Sequence, residues 1–263
     1  MLLATLVPKL IGFRACIPRT LSATLSSSSS SSGSTTSLNE MSLRSLTLDE
    51  ALQLTDPSGN IHAAHCLLYC KTVDGDVEGM FGLCQVRFDG QLGFPGGVIK
   101  SEELSSVSGM IAGLQRELEE EINFFVQSSE SDPDGTNGFQ HVSTYIDDSI
   151  QASKSPLRVN IYHFFIKQIS EQEFKQCEAQ HVQSTHFPLE SLGIFRVPMI
   201  DPDNCKETTI FKYYKKRGTF LVNFFKHYFA GIGKNQLYDS LVHLDCLTPN
   251  YLAQLEPYIR KCV

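Results

Sequence analysis

Four glutamates follow one arginine in the middle of the chain, in the segment RELEEE at positions 116–121. On a helix that advances by about 100° per residue, Glu117, Glu120 and Glu121 lie on one stripe beside the apolar face. Glu119 falls on the far side. Three carboxylates within one turn repel one another, and a hard divalent cation that binds several carboxylates would offset this repulsion. Such a cation can also bind phosphate oxygens and activate water, so the stripe predicts a metal site for phosphate chemistry.

The alternative for an acidic run is a solvated helix face, which is its usual role. Two neighbouring features favour the metal site instead. The glycine-rich turn GFPGG at positions 93–97 comes shortly before the helix and permits close approach of the backbone. Arg116 can pair with one of the acids and hold the geometry of the helix.

Length and composition limit the number of domains, the kinds of partner and the cellular compartment. The chain has 263 residues, of which 41% are hydrophobic and 19% charged, enough for one full-sized globular domain. A net charge of -7 excludes a generally basic surface for nucleic acid, so only a local groove remains, for which the basic segment at 211–220 is the candidate. The alternative for that segment is a solvated loop or strand edge. The eight cysteines form no CxxC pair, which is typical of a reducing compartment, and no apolar run is long enough to span a membrane.

The first 45 residues differ from the rest of the chain. They contain four basic residues but a single acid, Glu40, and seven consecutive serines at positions 26–32. This composition cannot bury a core, and it predicts disorder. Two interpretations compete: a mitochondrial transit peptide, or an extension without function that precedes an effective start at Met41.

Apolar patterns predict a mixed α/β fold for the remainder. Strands are predicted at 62–72, 79–88, 156–167 and 191–199, and helices at 46–54, 106–125, 219–232 and 235–244. Because strands and helices mix without a regular βαβ rhythm, the pattern favours an α/β sandwich over a doubly wound sheet.

The glycine turn and the acidic helix together resemble the Nudix box, G-x5-E-x7-R-E-U-x-E-E-x-G-U, in which U is a bulky aliphatic residue. Gly97, five residues and then Glu103 match its start, and the segment RELEEE matches its core. The chain departs from the pattern twice. Twelve residues instead of seven separate Glu103 from Arg116, and Asn123, which tolerates a left-handed backbone, replaces the closing glycine.

Three further segments are similar to the Nudix type 16 group of snoRNA-decapping and inosine-diphosphatase enzymes, whose loop is also elongated. They are HAAHCLLY at 62–69, VRFDGQLGFPGG at 86–97 and LESLGIFRVPM at 189–199. The resemblance extends from about residue 46 to residue 237. It implies a Nudix α/β/α sandwich with a mixed sheet. Together with the composition of the N-terminus, it divides the chain into a disordered Ser-rich N-terminal extension (1–45), a Nudix hydrolase domain (46–245) and a C-terminal tail (246–263).

The resemblance also implies the roles of individual residues. Glu117, Glu121 and the Gly96 carbonyl match metal ligands, and Glu120 matches a glutamate that binds the metal or acts as general base. Arg116 completes the catalytic set. Positions that contact the nucleotide are His65, Arg87, Phe94 and Gln236. The expected cofactor is Mg²⁺ or Mn²⁺. The group has a further metal-binding histidine before the strand at 156–167, where this chain has Asp147, Asp148 and Ser149, and where His141 comes several positions early.

The implied activity is metal-dependent hydrolysis of a pyrophosphate next to a nucleoside, in (deoxy)inosine diphosphate-like nucleotides or in the 5′ cap of RNA. The alternative is a catalytically weak Nudix-fold module that binds RNA or protein. The complete RELEEE core favours the enzyme. The resemblance implies a nuclear, nucleolar and cytoplasmic location, whereas the N-terminal segment indicates mitochondria. A homodimer is compatible with the resemblance, and no membrane partner is expected.

Overall fold

The computed structural model describes residues 43–54, 60–74, 77–126, 135–147, 159–201 and 220–262. The predictions for the N-terminal extension therefore lie outside the described residues, apart from positions 43–45. Every lysine and arginine of the basic segment at 211–220 also lies outside them, as do Asp148 and Ser149.

A mixed sheet of eight strands forms the centre of the described fold. The strands are β1 Leu43–Leu46, β2 Ile61–Asp74, β3 Val77–Arg87, β4 Leu92–Gly93, β5 Gly96–Val98, β6 Gln140–Asp147, β7 Asn160–Gln168 and β8 Ser191–Pro198. Their order is β1-β6-β7-β2-β3-β4, with β5 paired to β2 and β8 paired to β3. Strands β2 and β7 are parallel, and the other paired strands are antiparallel.

Helices cover both faces of this sheet. They are α1 Leu48–Gln53, α2 Val107–Ile122, α3 Glu171–Gln180, α4 Phe220–Phe224, α5 Gly233–His243 and α6 Pro249–Ala253. Successive side chains of β2 alternate between two cores: Cys66 and Leu68 pack with α2 and α3, whereas Leu67 and Tyr69 pack with α4, α5 and α6. The predicted α/β/α sandwich with a mixed sheet is therefore confirmed. Within the described ranges, no helix has the length and apolar character needed to cross a membrane.

Helix α2 carries the acidic segment, and local signals define both of its ends. The Ser106 hydroxyl accepts the Gly109 N–H at 3.0 Å, which caps the first turn. Five apolar side chains at helical spacing are buried: Met110, Ile111, Leu114, Leu118 and Ile122. Asn123 ends the helix in the left-handed conformation with φ of 55°, the backbone state that was expected of this residue.

The predicted helix at 219–232 is too long, because the observed helix α4 ends at Phe224. The chain then turns to pair with β4: the Leu92 N–H donates to the Tyr228 carbonyl at 2.9 Å, and the Ala230 N–H donates to the Leu92 carbonyl at 2.8 Å. Hydrogen bonding to a distant strand thus outweighs the local helical pattern.

The C-terminal residues predicted as a tail contribute to the second core, where Leu247, Tyr251 and Leu255 are buried. At the other end of the described chain, Leu43 is buried and forms a bridge to Cys262. The three-part division of the chain stays a prediction. Both findings nevertheless place residues on either side of the 46–245 segment in contact with the folded domain.

Three histidines and one threonine form a chain of hydrogen bonds on the α2 side of the sheet. His62 Nδ1 lies 3.0 Å from His163 Nε2, whose Nδ1 lies 3.0 Å from Thr144 Oγ1. The same hydroxyl lies 2.8 Å from His141 Nε2. Burial lowers the pKa of His163 to about 3 and lowers those of His62 and His141. His62 and His163 cannot both be charged in this chain, because two charged rings would place two N–H donors against each other.

Lowering the pH from 7.5 to 5.0 is expected to decrease the free energy of unfolding by about 2 kcal/mol through His163 alone. In the unfolded chain a histidine takes up a proton near pH 6.5. The folded pKa of His163 is about 3, so the unfolded state binds more protons across this interval and gains stability as the pH falls. Urea unfolding at the two pH values measures the change.

The variant His163→Gln removes the titrating ring. Its loss of stability between the two pH values should be about 2 kcal/mol smaller than that of the wild type. His243→Gln, at an exposed position, should retain the wild-type pH dependence. The same pH dependence in the wild type and in His163→Gln would contradict this prediction.

Candidate active site

The acidic stripe of α2 lies on the side of the helix that the sequence predicts. Glu117 and Glu121 are 8% and 2% exposed, and Glu120 is half-buried. Glu119 is exposed on the far side. The helix thus presents three of its four glutamates at the border of the core and one to solvent.

Arg116 connects these carboxylates. Its Nη1 donates to Glu117 Oε1 at 2.6 Å and to Glu120 Oε2 at 3.2 Å, and its Nη2 donates to the Val98 carbonyl at 3.2 Å. The ion pairs hold the guanidinium against two members of the stripe. Arg116 therefore orients the acidic side chains, and its charge offsets part of their repulsion.

Glu103 is the fourth partner of Arg116, despite the longer spacing between them. Arg116 Nε donates to Glu103 Oε1 at 3.1 Å, and Nη2 donates to Glu103 Oε2 at 3.2 Å. The extra residues are accommodated by a short 3₁₀ helix at Ser101–Ser105 and by the first turns of α2. Gly113 makes room for this pair, because a Cβ there would lie 2.5 Å from Glu103 Oε2. The insertion thus leaves the Glu–Arg pair of the Nudix box intact.

Glu121 is held at the glycine turn. The Gly96 N–H donates to Glu121 Oε2 at 2.8 Å, and Gln85 Nε2 donates to the same oxygen at 3.2 Å. Gly96 has a φ of 137°, and a Cβ there would lie 2.2 Å from the Ala64 carbonyl oxygen, so no other residue fits this position. Burial raises the pKa of Glu121 to about 8, although the two hydrogen bonds favour its charged form. Burial also raises the pKa of Glu117, against the opposing effect of Arg116.

The segment before β8 closes the C-terminal end of α2. Ser184 Oγ donates to the Glu121 carbonyl at 2.9 Å, and the His186 N–H donates to the Glu120 carbonyl at 2.9 Å. These bonds satisfy carbonyls that the helix leaves without intrahelical partners. They also bring Glu190 to the site, where its Oε2 lies 3.2 Å from His186 Nδ1.

One cavity collects these acids. This carboxylate cavity has a volume of about 640 Å³, and its charged lining includes Glu117, Glu120, Glu121, Glu190, Lys100 and Arg116. His186 and Glu190 were missed by the sequence analysis. The spacing THFPLE at 185–190 resembles no metal or catalytic pattern, and only the fold brings it to the end of α2.

A second cavity adjoins the first. It has a volume of about 320 Å³ and is called the Gln236 pocket here, with Phe94, Tyr162 and Gln236 in its lining. His65 and Arg87 line both cavities. The four residues predicted to contact nucleotide, from β2, β3, the glycine turn and α5, therefore meet at one place.

Three polar atoms of these four residues have no hydrogen-bond partner among the described residues. They are His65 Nδ1, Arg87 Nε and Gln236 Nε2, and all three atoms are buried. Arg87 Nε also forms an ion pair with Asp89 Oδ2 at 3.6 Å. Burial and the neighbouring Arg87 lower the pKa of His65 to about 4, so its ring is neutral near pH 7. Buried polar atoms are usually paired in native proteins, which makes a polar ligand their natural partner. Phe94 is only 2% exposed and forms a T-shaped contact with Phe164, so little of its ring is open to such a ligand.

Of the four positions compared with the additional metal-binding histidine, Asp148 and Ser149 lie outside the described residues, and Asp147 and His141 lie away from the carboxylate cavity. Asp147 accepts two hydrogen bonds from Arg260, at 2.7 and 3.2 Å. His141 bonds to Thr144 and lines a separate cavity beside α5. Neither residue therefore supplies a ligand to the carboxylate cavity.

The donor set of the carboxylate cavity suits a hard divalent cation. Within the described ranges, no three His, Cys, Asp or Glu side chains already converge as ligands. Arg116 bonds to both Glu117 and Glu120, and Glu121 faces the Gly96 N–H. Burial raises the pKa values of Glu117 and Glu121, which disfavours their charged forms. A cation held by carboxylate oxygens would supply positive charge that favours these forms.

A family model described as Nudt16-like, U8 snoRNA-decapping enzyme-like, matches residues 62–247, more than half of the chain. The chain belongs to the Nudt16-like family. This family belongs to the Nudix hydrolases, which generally use divalent metals. The Nudix type 16 resemblance is thus confirmed, and the match includes the acidic helix, the glycine turn and all residues predicted for the site.

Named relatives of this Nudt16-like chain include proteins of two kinds. The U8 snoRNA-decapping enzyme of Mus musculus is 32% identical, over 81% of this chain and 95% of that protein. The Tudor-interacting repair regulator protein of Mus musculus is 28% identical, over 84% of this chain and 90% of that protein. Among solved structures, the Nudix domain of Shewanella oneidensis NrtR complexed with ADP ribose matches 76% of this chain and 99% of that one. The TM-score of that match is 0.42 and the identity is 14%.

Proposed function

We propose that this protein hydrolyses the phosphate anhydride of an inosine-type nucleoside diphosphate or of the 5′ cap of RNA, with Mg²⁺ or Mn²⁺ bound in the carboxylate cavity. One observation carries the proposal: two buried polar atoms without a hydrogen-bond partner, on His65 and Gln236, and the Arg87 guanidinium lie beside a cavity lined by four glutamates. A nucleoside in the Gln236 pocket would form hydrogen bonds with these polar atoms. Its phosphates would then extend into the carboxylate cavity.

Each cavity supports a different part of this reaction. Arg87 lines both cavities, and its planar guanidinium suits a phosphate oxygen at the junction. Glu117, Glu120 and Glu121, with the Gly96 carbonyl, would hold the cation, which supplies charge for the phosphate oxygens and lowers the pKa of a bound water. Arg116 keeps Glu117 and Glu120 oriented through its hydrogen bonds.

The overall step consumes one water molecule. A new bond forms between the water oxygen and one phosphorus, and the anhydride bond from that phosphorus to the bridging oxygen breaks. The leaving phosphate takes the electron pair of that bond. The water gives up a proton, for which the half-buried Glu120 is our candidate acceptor.

The second candidate function is a binding module without significant catalysis. It is favoured by the likeness to a relative named as a Tudor-interacting repair regulator protein, at 28% identity. Three features favour the enzyme: the complete RELEEE segment, the pairing of its arginine with Glu103, and the cavity that its glutamates line together. Hydrolysis of a nucleotide panel by the full chain with Mg²⁺ or Mn²⁺ decides between the two functions.

Inosine diphosphate is expected to be hydrolysed with a kcat/KM about tenfold to a hundredfold higher than adenosine diphosphate. The unpartnered Gln236 Nε2 is a donor, which suits the O6 carbonyl of hypoxanthine. Adenine carries an amino group at that position, so two donors would meet and one would stay unpaired. Phosphate release from both substrates under the same conditions measures the ratio.

The variant Gln236→Leu tests the origin of this preference, because it removes the donor at nearly the same volume. It should bring the two kcat/KM values close together. Val242→Ala, at an exposed position on α5, serves as control and should retain the preference. Equal rates for the two diphosphates in the wild type would contradict base selection by Gln236.

A further inference from the structure

Helix α5 carries Gln236, but no side-chain cap fixes the first turn of this helix. The helix begins at Gly233, and its N-cap residue, Ile232, makes no side-chain hydrogen bond to that turn. Gly231, with φ of 52°, and Gly233 flank Ile232, so the chain enters the helix through two glycines. Glycine has more backbone freedom than any other residue. The position of Gln236, one turn into the helix, therefore depends on contacts with other parts of the protein.

The segment 259–262 provides such contacts. Asn235, the third residue of α5, is 3% exposed. Its Nδ2 donates to the Arg260 carbonyl at 2.8 Å, and the Arg260 N–H donates to Asn235 Oδ1 at 3.1 Å. Both ends of the side-chain amide thus bond to the main chain of one residue. These two bonds tie the first turn of α5 to the segment 259–262.

The side chain of Arg260 ties the same segment to strand β6. Its Nη1 and Nη2 donate to the two carboxylate oxygens of Asp147, at 2.7 and 3.2 Å. Asp147 is 6% exposed, and a bidentate pair of this kind fixes orientation as well as distance. Cys262 adds a bridge to Leu43 of β1. Arg260 therefore connects the sheet, through Asn235, to the helix that carries Gln236.

This connection lies behind the Gln236 pocket. Ile232 and Tyr162 line that pocket, and both pack in one cluster with Leu43, the residue that Cys262 bridges. Asn235 and Arg260 themselves line neither the pocket nor the carboxylate cavity. They can therefore affect a bound nucleotide only through the position of Gln236 and its neighbours.

We propose that Arg260 and Asn235 are positioning residues for base selection, because they hold the first turn of α5 where Gln236 Nε2 can bond to the base. The inference rests on the function proposed above and adds two residues that determine its specificity. A donor displaced by about 1 Å leaves the range of hydrogen-bond distances. Arg116 and the acidic stripe lie on α2, so the chemical step does not depend on this connection.

The test compares kcat/KM for inosine diphosphate with kcat/KM for adenosine diphosphate. In Arg260→Leu, the ratio of the first value to the second should fall by about tenfold, because the hydrogen bond from Gln236 is lost. The fall should come from a higher KM for inosine diphosphate, with kcat within about twofold of the wild type. In the Gln236→Leu background, Arg260→Leu should not change the ratio further, because it acts through Gln236.

The variant Asn235→Ala tests the same connection at lower risk to folding. Arg260→Leu leaves the buried Asp147 carboxylate without its ion pair, which is destabilising. Asn235→Ala instead removes the two bonds to the Arg260 main chain and keeps that ion pair. It should lower the ratio of kcat/KM values as Arg260→Leu does.

Arg196→Leu is the matched control. Arg196 also forms a bidentate ion pair, with Glu178 at 2.6 and 2.7 Å, and its side chain is 29% exposed against 35% for Arg260. It lines neither cavity. Its loss should lower the melting temperature, as the loss of Arg260 should, but leave the ratio of kcat/KM values unchanged. The control thus separates positioning from general stability.

The outcomes separate this inference from the proposed function. A wild type that prefers inosine diphosphate, combined with an unchanged ratio in Asn235→Ala, would overturn the positioning role and leave the proposed function in place. An equal fall in Arg196→Leu, or a further fall in the Gln236→Leu background, would also overturn it. A wild type that hydrolyses both diphosphates equally would overturn base selection by Gln236 together with this inference, and the hydrolase would remain. A wild type that hydrolyses neither with Mg²⁺ or Mn²⁺ would overturn both proposals.

Discussion

Glu121→Gln is expected to lower kcat by about 10²- to 10⁴-fold, the range typical for loss of a charged group that acts in catalysis. The change removes the negative charge and keeps the shape. The glutamine amide oxygen can still accept the Gly96 N–H, which Glu121 Oε2 accepts at 2.8 Å in the wild type. Turnover of inosine diphosphate should therefore fall, whereas the melting temperature should stay at the wild-type value.

Glu119→Gln is the matched control for this prediction. It makes the same chemical change two positions earlier in the same helix, on the exposed far side. Its kcat should stay within about twofold of the wild type, as is usual for a surface substitution that removes no specific contact. If Glu119→Gln were as damaging as Glu121→Gln, the carboxylate cavity would not be the reaction site.

Much of the acidic helix was predictable because its information is local. Ser106 caps it, buried apolar side chains recur at helical spacing, and Asn123 ends it, all within residues 106–123. The long strands β2, β3, β7 and β8 were found for the same reason, since each carries enough apolar residues to show a pattern. Helix α3 was missed because it buries only Phe174 and Cys177, although its capping box at Ser170 and Glu173 was visible in the sequence.

The short strands at the site could not be predicted, because distant partners stabilise them. Strand β5 has only three residues and pairs with Ala63, Ala64 and His65 of β2. Strand β4 has two residues, and Phe229 bridges to it from beyond α4. No periodicity exists over two or three positions. The sequence therefore predicts a glycine-rich turn where these two strands lie, although the strands help to place Phe94 and Gly96.

The distinction between local information and contacts with distant segments also applies to the site residues. Glu117, Glu120 and Glu121 could be grouped from helical geometry alone, but Glu190 comes from 69 residues farther along than Glu121 and reaches the cavity through the segment that closes α2. The meeting of His65 with Gln236 depended on the resemblance, since helix α5 and strand β2 are distant in the chain. Glu103 shows that sequence spacing alone does not decide which side chains pair. Twelve residues instead of seven separate it from Arg116, and the two side chains nevertheless form an ion pair.

Removal of divalent cations is expected to abolish turnover, and Mg²⁺ or Mn²⁺ should restore it. Within the carboxylate cavity, Arg116 offsets only part of the charge of Glu117, Glu120, Glu121 and Glu190, and burial raises the pKa values of Glu117 and Glu121. A bound cation would favour their charged forms and supply the positive charge that the phosphate chain requires. Ca²⁺ should restore little activity, because its longer and more flexible coordination suits in-line attack poorly.

Thermal stability gives this prediction a readout that does not depend on turnover. A cation that binds only the folded state at about 100 times its dissociation constant should stabilise the full chain by about 2.7 kcal/mol, and the melting temperature should rise with cation concentration. The rise should be much smaller in Glu121→Gln, which lacks one charged ligand, and unchanged in Glu119→Gln. Hydrolysis that continues in excess chelator, or an equal melting-temperature shift in both variants, would contradict a metal site formed by the acidic stripe of α2.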